Sequence, residues 1–504
     1  MEHARLYFLC AIVFVFLLKK LFTWHNKQLP PSPSSSIPII GHLHLIKAPA
    51  YRTLQKLSSQ YGPIMLLSFG IRKVLVISSS SLVKECFSMN DIVFADRPKN
   101  LTGKYLHYNH TTIGRSNYGP HWRNLRRISV VEIFSTNRLN MFLSIRQEEV
   151  RYLLKNLYGI SHSGFSRVEM KSRIFDLAFN VVVRMTAGKR YFGAEVDDLD
   201  EAQRFQDTLR ETFEVMGAFE PSDFLPFLRW IDFQGKEKRI IELSKRSDEL
   251  SQGLVDEHRK RRADCVTQEG RNKTLIDTAL SLQEAEPDTY IDDIIKGLMM
   301  TMLTAGTITS AVTIEWALSV LLNHPTVLKK AKAELDNQVG QERLVEEHDL
   351  SKLPYLESII NETMRLYPAA PLLAPHESSD NCTVGGYHIP RGTILLVNAW
   401  AVHRDPKVWD DANTFRPERF LGQDTDAYKL VPFGVGRRAC PGTGLANRVV
   451  GLALASLIQC FEWERVGEEE VDMTEGTGLA MPKAKPLEAM CKARESMVNV
   501  LSTL

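Results

Sequence analysis

The sequence predicts a mainly α-helical protein with small β-sheets (α+β), one large domain over 43–504 behind an N-terminal anchor (1–29) and a proline-rich hinge (30–42). Three observations carry this reading. Apolar residues recur at helical spacing through most of 80–370. Two segments, 63–79 and 383–398, switch to short Val/Ile/Leu-rich runs punctuated by glycine. Beyond the hinge there is neither an internal repeat nor a second linker.

At 504 residues the chain could hold roughly three domains of about 150 residues. A composition of 44% apolar and 24% charged residues excludes disordered, collagen-like and polytopic membrane chains. Lys+Arg (62) and Asp+Glu (60) nearly cancel, so no global field attracts nucleic acid. Seven cysteines, at 10, 86, 265, 382, 440, 460 and 491, form no CxxC pair and are too sparse for a disulfide scaffold. This pattern argues for a reducing compartment, and the odd number leaves at least one cysteine unpaired.

Leu6–Leu18 is a run of 13 apolar residues, which as helix spans roughly 20 Å. Leu21, Phe22 and Trp24 extend it, with Lys19 and Lys20 able to snorkel to the headgroups. A cleaved secretory signal would need a basic start and a small-x-small site, and neither is present, so the stretch reads as an uncleaved anchor. Lys19, Lys20 and Lys27 place the following chain in the cytosol. The Asn-x-Thr sequons at Asn100, Asn109, Asn272, Asn361 and Asn381 are then unglycosylated chance matches. Prolines at 30, 31, 33 and 38 make the next segment a stiff connector.

In the body, 63–79 reads as a β-hairpin turning at Gly70. Helical periodicity marks 120–160, 170–188, 200–216, 236–262, 273–283 and 292–323. The last of these has 32 residues, roughly 48 Å of helix, and is apolar nearly all round, so it should cross the centre of the domain. Strands return at 383–398, a helix follows 443, and the tail reads as strand and loop.

Residues 433–442 read Phe-Gly-Val-Gly-Arg-Arg-Ala-Cys-Pro-Gly. This matches Phe-x-x-Gly-x-Arg-x-Cys-x-Gly, the haem-binding signature of cytochrome P-450 monooxygenases, which five fixed residues would meet by chance in on the order of 10⁻⁴ of chains this long. The chain thus resembles that family, and the resemblance implies its fold, haem b and an axial thiolate from Cys440. A thiolate donates electron density that favours O–O cleavage and must be kept deprotonated. Cys440 precedes a predicted helix whose dipole favours an anion, Gly436 and Gly442 allow tight turns with amides near the sulfur, Arg438 is suited to a haem propionate, and Phe433 is placed to pack on the thiolate side.

Other motifs join it. Glu362-Thr363-Met364-Arg365 resembles the family's Glu-x-x-Arg, and Arg419, in Phe-Arg-Pro-Glu-Arg-Phe, corresponds to its third partner. The trio reads as a structural network under the segment that leads to Cys440. Trp122 and Arg126 match Trp-x-x-x-Arg and, with Arg97 and His376, are candidate propionate ligands. Arg123, Arg126, Arg127, Arg437 and Arg438 read either as a basic docking patch for an acidic reductase or as solvated and propionate-bound charges.

The long helix carries Ala305-Gly306-Thr307-Ile308-Thr309-Ser310, which resembles the family's oxygen-groove motif. Thr309 matches the threonine that assists oxygen activation, but Ile308 stands where the family has an acid and cannot carry a proton. Either protons travel by Thr309, Ser310, Thr304 and water, or the position has drifted with small consequence.

The resemblance covers the chain from anchor to end and is strongest to plant microsomal members of the isoflavone 2′-hydroxylase-like group, notably at 376–409. It implies an NADPH- and O₂-dependent oxidation, above all hydroxylation, of a small apolar aromatic metabolite such as a flavonoid, isoflavonoid or lignan.

 The alternatives are methylenedioxy-bridge formation or other non-hydroxylating chemistry, and a haem-binding protein without turnover. No Gly-rich nucleotide motif follows a strand, so electrons come from a separate NADPH-cytochrome reductase, with cytochrome b5 as a second candidate. The family's location implies a single pass through the endoplasmic reticulum membrane. The expected pocket wall is Met302, Ala305, Leu372, Leu373 and Leu479.

Overall fold

The helix Asp292–Asn323 forms the axis of the protein. Its 32 residues are buried on most sides, as the all-round apolar pattern requires. Its hydroxyl side chains fit this setting by bonding their own backbone. Thr301, Thr304, Thr309 and Ser310 each donate to the carbonyl four residues back, at 2.7, 2.7, 2.7 and 3.0 Å. The helices Leu143–Ser161, Met170–Ala187, Pro354–Leu366 and Thr443–Cys460 pack around it in one continuous apolar core.

The computed structural model describes residues 29–193, 196, 198–217, 220–230, 232, 235–264, 273–422, 426–478 and 480–504. The anchor stretch through residue 28, Asn272 and Leu479 lie outside them. Among the described residues, Asp292–Asn323 and Thr443–Cys460 are long and apolar enough to cross a membrane. Their apolar windows are 78% and 72% buried within the protein, which makes them core helices.

The hairpin forms as expected, with β1 (Ile64–Phe69) antiparallel to β2 (Arg72–Ile77). β2 pairs in parallel with β7 (Ile394–Val397), and β4 (His376–Glu377) completes the sheet in the order β1-β2-β7-β4. β5 (Cys382–Val384) and β6 (Tyr387–Ile389) form a separate hairpin. β3 (Ser166–Glu169), β9 (Glu488–Ala493) and β8 (Phe461–Glu464) form a third sheet in that order.

Two local expectations change. The stretch 120–160 is not one helical run: Pro120–Ile128 passes through a π turn at Ser129–Ile133 into Thr136–Met141 and then Leu143–Ser161. Ser135 caps the middle piece by accepting the Arg138 amide, so the break has a local cause. The tail ends in a short helix, Val498–Leu501, rather than in strand and loop alone.

The proline-rich segment is docked as well as stiff. Leu66 N–H donates to Pro31 O at 2.9 Å, and the His42 ring bridges Ser68 N–H and Pro33 O at 2.9 Å each. Gly41 sits at φ +66, where a Cβ would lie 2.2 Å from Ser68 O, so only glycine lets the segment approach β1 this closely.

Candidate active site

Glu362 and Arg365 lie on Pro354–Leu366, three residues apart on one helix face, and both side chains are fully buried. Arg365 donates from Nε and Nη2 to the two Glu362 oxygens at 2.7 and 2.8 Å. Arg419 Nε reaches Glu362 Oε1 at 3.0 Å, and the Arg416 amide reaches the same oxygen at 2.9 Å. Arg365 also donates to the carbonyls of His403 and Ala412 at 2.7 and 2.6 Å. The trio therefore pins 403–419 to the core. His403 Nε2 then accepts the Val431 amide at 2.8 Å, which carries the order forward to the cysteine segment.

Cys440 stands three residues before the helix Thr443–Cys460. Its amide donates to Phe433 O at 2.9 Å, closing the 433–440 loop. The thiol is accessible but walled by protein. Burial pushes its pKa up, while the Gly442 amide, the Arg126 charge and the Thr443 hydroxyl all favour the thiolate. Gly436 has φ +75, and a Cβ there would meet Asp91 Oδ1 at 2.5 Å, so glycine is required. Gly442 differs from the expectation: its φ of −86 suits any residue, and its part is the amide beside the sulfur.

The basic candidates converge. Arg97 is buried and donates from Nη1 to Ala374 O and Pro375 O at 2.9 and 2.6 Å, while its Nε has no partner. Burial, followed by the charges of Arg438 and Arg115, pushes Arg97 down to about 9. His376, on β4, uses Nδ1 on Phe94 O at 2.7 Å. Burial and the Arg97 charge hold it well below the usual histidine range. Arg126 is half-buried and has no hydrogen bond or ion pair among the described residues.

Two candidates have other partners. Trp122 spends its single N–H on Ile113 O at 3.1 Å, and its ring lies 4.3 Å beneath the Arg438 guanidinium. Arg438 donates to the carbonyls of Ala95, Ile113 and Ser116 at 2.7, 3.2 and 2.6 Å, which leaves two N–H groups over. Arg437 is tied to Asp91 at 2.9 Å and to the Tyr118 hydroxyl at 3.0 Å. Of the five arginines read as a basic patch, only Arg123 and Arg127 are exposed.

The expected pocket wall separates in the same way. Ala305 is exposed in the middle of a mostly buried helix, with Thr301, Ile308 and Thr309 half-buried around it. Met302 is only 6% exposed and belongs to the main core. Leu372 and Leu373 pack on the two apolar clusters of the β1-β2-β7-β4 sheet. Ile308 packs with Val312, Trp316 and Ala480, which gives its apolar side chain a packing role. Sequence reasoning missed Asp91, the anchor of Arg437, and the carbonyls that hold Arg438; carbonyls leave no side-chain signal.

A model of the cytochrome P-450 family matches residues 30–488. Cytochrome P-450 81Q32 of Catharanthus roseus is 55% identical, over 99% of this chain and 98% of its own length. The (+)-piperitol/(+)-sesamin synthase of Sesamum radiatum is 49% identical over 99% of both chains, and the isoflavone 3′-hydroxylase of Medicago truncatula is 51% identical over 96% of both. A solved zebrafish cytochrome P-450 with progesterone superposes with a TM-score of 0.76 at 28% identity, covering 89% of this chain and all of its own. With the family matched over most of its length and the same fold in a solved relative, the chain belongs to the cytochrome P-450 monooxygenases, whose haem is held by a cysteine thiolate.

Proposed function

We propose that the chain hydroxylates a small, apolar, aromatic plant metabolite of the flavonoid, isoflavonoid or lignan kind, using O₂ and electrons from NADPH delivered by a separate reductase. The observation that carries it is the accessible Cys440 thiol beside the unpaired Arg126 charge, within a set of basic groups that have no acidic partner. Arg97, Arg126, His376 and Arg438 form no ion pair among the described residues, and Arg97 Nε is buried without an acceptor. Such a set would hold the two carboxylates of haem b, and Cys440 would supply a thiolate to its iron. When bound, haem with a thiolate ligand supplies oxygen activation.

The protein's own part is positional. The helix amino terminus, the Gly442 amide and Arg126 favour the Cys440 thiolate against the burial that raises its pKa. The Glu362–Arg365–Arg419 network keeps the cysteine loop in place. Thr309 commits its proton to Ala305 O at 2.7 Å, which leaves its oxygen lone pairs to accept from water. Residues 1–29 act as an anchor in the endoplasmic reticulum membrane, 30–42 as the hinge and 43–504 as the catalytic domain on the cytosolic side. Arg123 and Arg127 are the exposed charges suited to an acidic reductase or cytochrome b5.

A second reading, methylenedioxy-bridge formation, is favoured by the sesamin synthase relative and by Ile308 in the acid position. The test is a carbon monoxide difference spectrum of the membrane-bound protein, followed by NADPH consumption and ¹⁸O₂ labelling with isoflavones and lignans. Hydroxylation places label in the product and bridge closure does not. Absence of the thiolate spectrum, or loss of nothing in Cys440→Ser, overturns the assignment.

A further inference from the structure

Buried serines on the helices of this protein bond their own backbone. Ser161, Ser251 and Ser319 each donate to the carbonyl four residues back, at 2.7 Å. Ser456, on Thr443–Cys460, is only 1% exposed and does not: its Oγ is buried without a partner. A buried hydroxyl left bare forfeits its hydration, so such groups are rare. Ser456 lines a cleft of about 710 Å³, to which Leu143–Ser161, the segment 343–346 and the tail 500–504 also contribute. Small-molecule sites occupy about 300–1,000 Å³, so the cleft has the size of one. Ser456 follows Thr443 by thirteen residues, about 20 Å of helix, which sets the cleft apart from Cys440.

The cleft combines apolar wall with positive charge. Val150, Leu344, Val345, Leu452 and Val500 supply the aliphatic surface. Arg151 and Lys155 also line it, four residues apart on one face of Leu143–Ser161. Among the described residues, Arg151 makes no hydrogen bond or ion pair, and Lys155 donates only to Leu504 O, at 2.8 Å. The other two cations of the cleft are already matched: Arg190 pairs with Glu149 at 2.9 Å and Arg343 with Asp349 at 2.6 Å. Its acids are committed too. Glu148 pairs with Arg184 at 2.5 Å, and the Glu346 side chain caps the turn Glu347–Lys352. Among its side chains the cleft therefore offers two cations and no free carboxylate.

We infer that this cleft is a second small-molecule site, separate from the Cys440 site, for an organic anion with a compact apolar body. The anionic group meets Arg151 and Lys155, the body lies on Val150 and Leu452, and a polar atom of the ligand satisfies the Ser456 hydroxyl. Hydrogen bonds from a guanidinium or ammonium to an anion are about twice as strong as neutral ones, so the charge sets which molecules bind. The aliphatic wall adds affinity through the area it removes from water. A carboxylate, a sulfonate and a phosphate ester all carry the required charge. The inference uses no residue of the Cys440 site and does not rest on the monooxygenase reading.

The detergent-solubilised full-length protein is irradiated with 4-benzoylbenzoic acid or with its neutral amide, and labelled peptides are located by mass spectrometry over a range of concentrations. The acid should label peptides 147–155, 452–456 and 500–504 saturably, and the amide should label them only weakly. Arg151→Glu, a change at an exposed position, should weaken that labelling by the acid about tenfold or more, and Arg151→Lys should retain most of it. Ser456→Leu, which fills the floor of the cleft, should abolish it, with Arg151→Glu carrying the test if the leucine variant does not fold. Labelling confined to the helix around Ala305 would overturn the inference by assigning the acid to the Cys440 site. Equal labelling by acid and amide, or an Arg151→Glu protein that labels like wild type, would remove the recognition of charge. Absence of saturable labelling would mean that the cleft holds only water.

Discussion

Arg365 and Glu362 meet through two parallel hydrogen bonds of 2.7 and 2.8 Å, with neither side chain exposed to solvent. A two-pronged pair this deep is strong only while both members remain, because either charge alone would be buried without compensation.

Arg365→Leu or Glu362→Leu should therefore cost about 3–5 kcal/mol of stability. Since the same arginine holds the carbonyls of His403 and Ala412, the loop leading to Cys440 should loosen and haem incorporation should fail. Thermal unfolding and the haem-to-protein absorbance ratio measure the two effects. A variant that keeps full haem content would remove the network from the account.

Arg126 carries a positive charge beside the Cys440 thiol and has no other partner among the described residues. Arg126→Gln should raise the pKa of the thiol and weaken haem binding by about 1.5–3 kcal/mol, the range for a hydrogen bond to a charged group. Haem loss to apomyoglobin reads this directly, and Arg126→Lys should retain part of the affinity.

Ile308 completes an apolar cluster with Val312, Trp316 and Ala480, so Ile308→Asp should lower stability by about 1–3 kcal/mol. It should also restore a proton-carrying group next to Thr309 and raise the fraction of NADPH consumption that ends in product. Unchanged coupling would show that the acid position has no part in proton delivery here.

His403 is fully buried and pushed down to about 3, first by burial and then by the charges of Arg404 and Arg365. Its folded pKa lies below the unfolded value, so the unfolded chain binds the proton more readily. The stability at stake is fully present above about pH 6.5 and is lost as pH falls towards 3, by on the order of 5 kcal/mol. His403→Gln should flatten that acid limb in melting temperature against pH, while lowering the plateau.

The cysteine loop was legible because it is a local motif: Phe433, Gly436, Arg438, Cys440 and Gly442 keep fixed spacing in the chain. The helices were legible because burying one face imposes a period, and Asp292–Asn323 matched its sequence bounds to the residue. The break at 129–135 was not legible, since its apolar residues continue the period through a π turn and a capping serine.

The sequence by itself determined the family, the helical frame and the identity of the cysteine. The tertiary structure decided which side chains reach the site. Met302 and Ala305 are three residues apart on one apolar helix, yet one is in the core and the other exposed. Arg438 and Arg126 are the same residue type, yet one is held by three carbonyls and the other, among the described residues, by none. Periodicity reports that a face is apolar, while partners drawn from distant parts of the chain decide what that face meets. Whether a charge is satisfied depends on those partners, and the backbone carbonyls among them carry no mark in the sequence.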